Sequence, residues 1–117
     1  MFNGRDEVLV AGLLMGADGG IGTFYNVMPD LFMDVYRHAI AGDWSTARKV
    51  QDDINTVIRI TLQFPCFPAI KEMLRWSGLD CGECIRPRGG LTVMQAGELR
   101  RQIEACGVPL WRAVSRA

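Results

Sequence analysis

Two short segments near the N-terminus carry residue types suited to binding a polar ligand. They are residues 4–7 (GRDE) and the glycine-rich run 17–23 (ADGGIGT). Carboxylates accept hydrogen bonds from vicinal hydroxyls, and glycines let the backbone approach a ligand closely. From spacing alone a structural role is favoured, because Asp6 and Glu7 suit the first turn of a helix, with Asp6 as its N-cap. Phosphate binding by the glycine run is disfavoured, because neither a lysine nor P-loop spacing accompanies it.

The cysteines are the other residues with chemistry of their own. Cys81 and Cys84 form a CxxC motif, which serves both zinc binding and thiol redox chemistry. Zinc needs four ligands, and Cys66, Cys106 and His38 provide no matching second pair. A redox pair would stand at a helix N-terminus after a strand, whereas this motif lies in a predicted loop between helices. We expect reduced thiols, no metal and no cofactor.

The composition is that of a globular protein without a long-range electrostatic field. The 117 residues are 49% hydrophobic and 22% charged, and Lys+Arg and Asp+Glu both number 13. A net charge of zero disfavours nucleic acid or an anionic membrane as a partner. No apolar run approaches the roughly 18 residues of a membrane span. Because the N-terminus is acidic where a signal peptide is basic, we expect a cytoplasmic protein.

Four amphipathic helices are predicted after residue 28. Their first residues or caps are Pro29, Asp43, Pro68 and Thr92, the last in a capping box with Gln95. Their ends are marked by Gly42, Pro65, Gly78 and Gly107. Helical spacing places Ile40 and Leu62 on inward faces and Gln51 on an outward face. The predicted packing anchors are Trp44, Trp76 and Trp111.

Ahead of these helices the sequence predicts two short strands, joined by a helix that starts near Asp6 and ends at Gly16. Tyr25 and Asn26 follow the second strand and are predicted to cap or pack against the next helix. Parallel strands need neighbours on both sides and helices on both faces. This part of the chain is therefore typical of the end of a larger sheet.

The segments 2–7 (FNGRDE) and 16–26 (GADGGIGTFYN) resemble a known pattern. In the N-acetylneuraminate lyase subgroup of the dihydrodipicolinate synthase superfamily, the last two strand-and-loop units read YNGxDE and GADGGIGSTYN. The resemblance continues through the turn at 41–44 and the Arg86-Pro loop, so it covers essentially the whole chain. It implies the C-terminal part of a (β/α)8 TIM barrel, with residues 1–42 forming its last two strand units. Residues 43–117 would then be the C-terminal helical extension.

The resemblance also implies an activity, that of a pyruvate-dependent class I aldolase. Such lyases form a Schiff base with pyruvate and cleave a 2-keto-3-deoxy sugar acid to pyruvate and an aldehyde. The family's Schiff-base lysine, proton-shuttling tyrosine and carboxylate-gripping loop belong to the barrel part that precedes the matched segments. Lys49 and Lys71, the two lysines present, fall on predicted helices of the extension. We therefore expect no catalytic residue here and no activity from this chain alone.

The substrate-binding residues implied by the resemblance belong to the loops after the seventh and eighth strands. They are Gly4, Asp6, Glu7, Gly22 and Thr23, which stand where the family contacts the polyol tail of the sugar acid. Thr23 replaces the family's serine, and Arg5 replaces the aromatic residue commonly found between the glycine and the aspartate. One added methyl in a tight pocket is worth about 1–3 kcal/mol of discrimination, so the identity of the sugar acid stays open.

The expected partners are a sugar-acid substrate, pyruvate, the N-terminal part of the barrel and further copies in a homo-oligomer. Two alternatives stay open. The chain can belong to a lyase resembling dihydrodipicolinate synthase or 2-keto-3-deoxygluconate aldolase. It can also be a non-catalytic helical packing or oligomerisation module derived from such a barrel, because open strand edges and apolar helix faces recruit partners.

Overall fold

A computed structural model describes residues 1–110, in which two short parallel strands precede a set of packed helices. The elements in chain order are β1 (Phe2–Asn3), α1 (Leu9–Leu14), β2 (Gly19–Gly20), α2 (Pro29–Ile40), α3 (Trp44–Thr61), α4 (Cys66–Trp76) and α5 (Val93–Cys106). Turns of 3-10 helix, Asp6–Val8 and Thr23–Asn26, follow the two strands. Trp111 lies outside the described residues.

The two strands form a parallel pair, in the register Phe2 to Gly19 and Asn3 to Gly20. The ladder continues with the Ile21 amide donating to the Asn3 carbonyl at 3.0 Å. Within residues 1–110, each strand pairs only with the other. Both predicted strands are thereby confirmed, and the 3-10 turns after them place residues 4–7 and 22–23 at the same end of the pair.

The helix boundaries follow local sequence signals closely. Pro29 is the first residue of α2, and the Asp43 carboxylate caps α3 by accepting from the Thr46 amide at 3.2 Å. Thr92 and Gln95 form the complete capping box of α5, with bonds of 3.1 and 2.9 Å. These predictions are confirmed, because a cap depends only on residues within one turn.

Two predicted helix starts are wrong. α4 begins at Cys66 rather than at Pro68. A proline is tolerated there because amides in the first turn have no partner within the helix. The helix predicted from Asp6 to Gly16 is a 3-10 turn followed by α1, and Asp6 is not its N-cap. Its carboxylate instead accepts a hydrogen bond from the Phe24 amide, which lies in the other loop.

One hydrophobic core runs from Leu9 to Leu110. Helices α2 and α3 supply six of its buried side chains, which are Leu31, Phe32, Val35, Ile54, Val57 and Ile58. Residues on both sides of position 42 share this core, and the division of the chain at that position stays a prediction. No helix in residues 1–110 combines the length and the apolar character required to cross a bilayer.

Three predicted orientations are wrong. Ile40 is 70% exposed and Leu62 is 54% exposed, although both were expected to face inward. Ile40 is the last residue of α2 and Leu62 follows α3, so the helical repeat that predicted their burial ends there. Gln51, expected on the outward face, is only 5% exposed because its side-chain amide is bonded to a neighbouring loop. Trp44 and Trp76 are half-buried.

Candidate functional site

All five predicted site residues line one cleft of about 240 Å³. Its polar wall is formed by these five, Gly4, Asp6, Glu7, Gly22 and Thr23, and by Arg5, from the loops that follow β1 and β2. Its apolar wall comes from the end of α3 and the start of α4, and comprises Ile58, Leu62, Cys66 and Phe67. The cleft therefore sets hydrogen-bonding groups opposite an apolar surface.

Asp6 connects the two loops of the polar wall. Its side chain is 8% exposed, and Oδ2 accepts from the Phe24 amide at 2.9 Å. Oδ1 lies so close to Gly22 that a Cβ at that position would overlap the carboxylate. Burial raises the pKa of Asp6 and the charge of Glu7 adds to the rise, while the Phe24 amide lowers it. Glycine at position 22 is thus required by close packing against Asp6.

Glu7 and Thr23 keep hydrogen-bonding capacity available in the cleft. Glu7 is half-buried, and its carboxylate accepts no hydrogen bond from another residue in 1–110. Thr23 is exposed; its carbonyl accepts from the Asn26 side chain at 3.0 Å, but its hydroxyl bonds to nothing in the described part of the chain. Together with the exposed Arg5, which also lines the cleft, they are the polar side chains of the wall that can serve a ligand.

Two residues of α3 outside the predicted set hold the acidic loop. The Gln51 Nε2 donates to the Asp6 carbonyl at 3.0 Å, and its Oε1 accepts from the Val10 amide at 3.1 Å. One turn further, the Asn55 Nδ2 donates to the Glu7 carbonyl at 3.1 Å. In the sequence, these two residues could have been recognised only as amide side chains four positions apart, which lie on one face of a helix.

Tyr25 lies behind the polar wall. Its ring stacks on Phe32 with centroids 3.9 Å apart, which confirms the predicted packing on α2. Its hydroxyl is buried against Gly20 and has no hydrogen-bond partner among residues 1–110. Burial, together with the charge of Asp6, raises the pKa of Tyr25 to about 12. The residue borders a second, largely apolar groove of about 390 Å³ between β2 and α2.

Neither lysine lines the cleft. Lys49 is exposed on α3, and the Lys71 Nζ on α4 donates to the Glu83 carbonyl at 3.2 Å. In the described part of the chain all four cysteines are free thiols, and no group of three His, Cys, Asp or Glu side chains could hold a metal ion. Cys66 is the cysteine at the cleft, and burial raises the pKa of its thiol, which disfavours the reactive thiolate.

Comparison with known proteins gives a consistent result. The model of the dihydrodipicolinate synthetase family matches residues 1–106. An N-acetylneuraminate lyase of Rhizobium meliloti is 41% identical over 87 residues, which are 74% of this chain and 29% of that protein. The Escherichia coli N-acetylneuraminate lyase is 34% identical over 101 residues, which are 86% of this chain and 34% of that protein. This chain thus spans about a third of these curated relatives.

Solved structures agree with the sequence matches. A Proteus mirabilis N-acetylneuraminate lyase superposes with a TM-score of 0.81 at 26% identity, over 91% of this chain and 36% of the other. A Sulfolobus solfataricus 2-keto-3-deoxygluconate aldolase superposes with a TM-score of 0.84 at 20% identity, again over 91% and 36%. The second match concerns the fold alone. The resemblance inferred from the glycine-rich segments is confirmed.

Proposed function

Because this chain belongs to the dihydrodipicolinate synthetase family, we propose that it forms the C-terminal third of a pyruvate-dependent Schiff-base aldolase. The whole enzyme cleaves a 2-keto-3-deoxy sugar acid of the N-acetylneuraminate type to pyruvate and an aldehyde. The observation that carries the proposal is the convergence of all five predicted substrate-binding residues in one cleft. Residues 1–42 would close the barrel, and residues 43–117 would form its helical extension.

In this proposal the cleft binds the polyol tail of the substrate. The Glu7 carboxylate accepts from two vicinal hydroxyls, and the Thr23 hydroxyl donates to or accepts from a third. Gly4 and Gly22 allow the backbone to approach the chain of hydroxyls. Asp6 borders the tail, and its carboxylate holds the Gly22–Phe24 backbone in place for that contact.

The apolar wall complements the other side of the same tail. A polyol presents C–H groups between its hydroxyls, and these can pack on Leu62 and Phe67, which are 54% and 44% exposed. Such packing excludes water from the opposite wall, where hydrogen bonds to a carboxylate are then stronger. A hydrogen-bonding wall that faces an apolar surface suits a hydroxylated tail.

The Schiff-base lysine must come from the part of the enzyme that this chain does not span. A nucleophilic lysine needs a desolvated or cationic environment to lose its proton near neutral pH. Lys49 is exposed, and Lys71 is engaged with Glu83 away from the cleft. This chain alone would therefore be inactive, and its partners would be the N-terminal barrel part, pyruvate and the sugar acid. A cytoplasmic, homo-oligomeric enzyme fits the same proposal.

Two alternatives to this function can be tested by experiment. A specificity for 2-keto-3-deoxygluconate or a dihydrodipicolinate synthase-like reaction would use the same fold, as the Sulfolobus solfataricus match illustrates. A non-catalytic packing or oligomerisation module is favoured by one observation, the strongly exposed apolar side chains Ile85, Val93 and Met94, at 89%, 90% and 86%. Large exposed apolar groups mark surfaces that associate.

A chimeric enzyme tests the proposal. The N-terminal part of the Rhizobium meliloti relative is joined to this chain at the point where the two sequences begin to match. We expect pyruvate release from N-acetylneuraminate and a reduced pyruvate adduct with borohydride on the chimera. The separate chain treated in the same way should keep its mass of 13.0 kDa. A soluble chimera that traps pyruvate but cleaves no sugar acid would refute the assigned tail site and favour the module.

A further inference from the structure

The polar wall of the cleft depends on a helix that contributes no side chain to it. Gln51 and Asn55 stand on α3, 41 to 48 residues along the chain from the loop that they hold. Neither residue borders the cleft. Their contacts with the loop are made to its backbone, at the carbonyls of Asp6 and Glu7 and at the amide of Val10.

The hydrogen-bonding capacity of Gln51 is well used by these contacts. Its two N–H donors reach the Asp6 carbonyl and the Asn55 Oδ1, both at 3.0 Å, while its oxygen accepts from Val10 at 3.1 Å. Because the Gln51 side chain is only 5% exposed and makes all of these bonds, its amide group is held in a single orientation. Asn55, held in turn by Gln51, presents its Nδ2 to Glu7. The two amides thus form a rigid clamp.

The clamp acts on the residue whose carboxylate is unengaged. Asp6 is already held through its side chain by the Phe24 amide. The Glu7 side chain accepts no bond from residues 1–110, so the backbone alone fixes where that side chain starts, and Asn55 holds this backbone at the carbonyl. A binding group must be kept close to its productive geometry by the residues around it.

We propose that Gln51 and Asn55 are positioning residues, which set the Glu7 carboxylate for the polyol tail of the substrate. This inference rests on the proposed function, since it assigns the residues that orient the same site. It gives the helical segment 43–117 a part in substrate specificity besides packing. Neither amide touches the substrate; both act through the backbone of residues 6–10.

The test compares a long and a short aldehyde in the synthetic direction, with the chimeric enzyme and pyruvate. Mannose presents a polyol tail, and glycolaldehyde lacks one. We expect Asn55→Ala to raise the KM for mannose about fivefold, as expected for one hydrogen bond, and to leave kcat and the KM for glycolaldehyde unchanged. Alanine keeps the helix intact, because it has the highest helix propensity. Gln51→Met, of similar volume, should have the larger effect and speed hydrogen exchange at the Val10 amide.

Asp53→Ala is the matched control, because it is an exposed position on the same helix and gains the same helix propensity. Its kinetic constants should equal those of the parent chimera. If Asn55→Ala and Gln51→Met lose activity equally with mannose and with glycolaldehyde, the role of the two amides is merely structural and the inference is overturned. An unchanged KM for mannose in both Asn55→Ala and Gln51→Met would also overturn it. If the parent chimera makes no aldol product from either aldehyde, the proposed function itself is refuted, and the positioning role, which rests on it, is refuted as well.

Discussion

Replacing Gly22 with alanine tests the contact that joins the two loops of the cleft. A Cβ at position 22 would overlap the Asp6 carboxylate, which must then move and release the Phe24 amide. A hydrogen bond to a charged group contributes about 1.5–3 kcal/mol. Alanine also lowers the conformational entropy of the unfolded chain, which stabilises the folded state by about 0.4–1 kcal/mol. We expect Gly22→Ala to lower the free energy of unfolding by about 1–2 kcal/mol.

Urea denaturation of the purified chain measures the effect. With a slope of about 1–2 kcal/mol per molar urea, the midpoint should fall by about 1 M. Gly4→Ala is the control, because Gly4 lines the same cleft but a Cβ at this position would have no atom within 4 Å. It should be neutral or slightly stabilising.

A double-mutant cycle identifies the cause of the loss. In an Asp6→Ala background there is no carboxylate to displace, so Gly22→Ala should cost almost nothing, which corresponds to a coupling of about 1–2 kcal/mol. If the cost of Gly22→Ala is the same with and without the carboxylate, the close packing of Asp6 on Gly22 is not its origin. An equal midpoint for Gly4→Ala and Gly22→Ala would also refute the reasoning.

Three further changes have defined outcomes. The pKa of Asp6 is raised above 3.8 mainly by burial, so its stabilising contribution is complete below that pH and is lost as pH rises through the folded value. Urea midpoints of wild type should therefore fall relative to Asp6→Asn across this window. Thr92→Ala, which removes the α5 cap, should cost about 1 kcal/mol in the same assay, and Thr92→Ser should restore it. Thr23→Val in the chimera should raise the KM for N-acetylneuraminate about fivefold at unchanged kcat, whereas a Thr23→Ser variant that behaved like Thr23→Val would contradict a role for the hydroxyl.

Local signals in the sequence predicted much of this structure. The caps at Asp43 and Thr92 and the start of α2 at Pro29 involve residues within one helical turn, and all three are confirmed. The two strands were also predictable, because specific glycine-rich motifs mark them. Family resemblance grouped the five cleft residues, which the structure brings together.

Long-range polar contacts were beyond such signals. Gln51 was assigned to the outward face, since helical periodicity counts a glutamine as polar and contains no information about a loop 45 residues away. Asp6 was expected to cap its own helix, but its partner is Phe24, 18 residues further on. Both errors have the same cause, because a hydrogen bond between distant segments leaves no period in the sequence.

The same long-range bonds determine when the cleft can form. Contacts across 18 to 48 residues carry a loop-closure cost that contacts within one helical turn do not, so we expect them to form after the local helices that they connect. During synthesis the loops after β1 and β2 leave the ribosome well before Gln51 and Asn55, which must be present to fix residues 6–10. We therefore expect the polar wall of the cleft to be assembled only once α3 has been made and has docked.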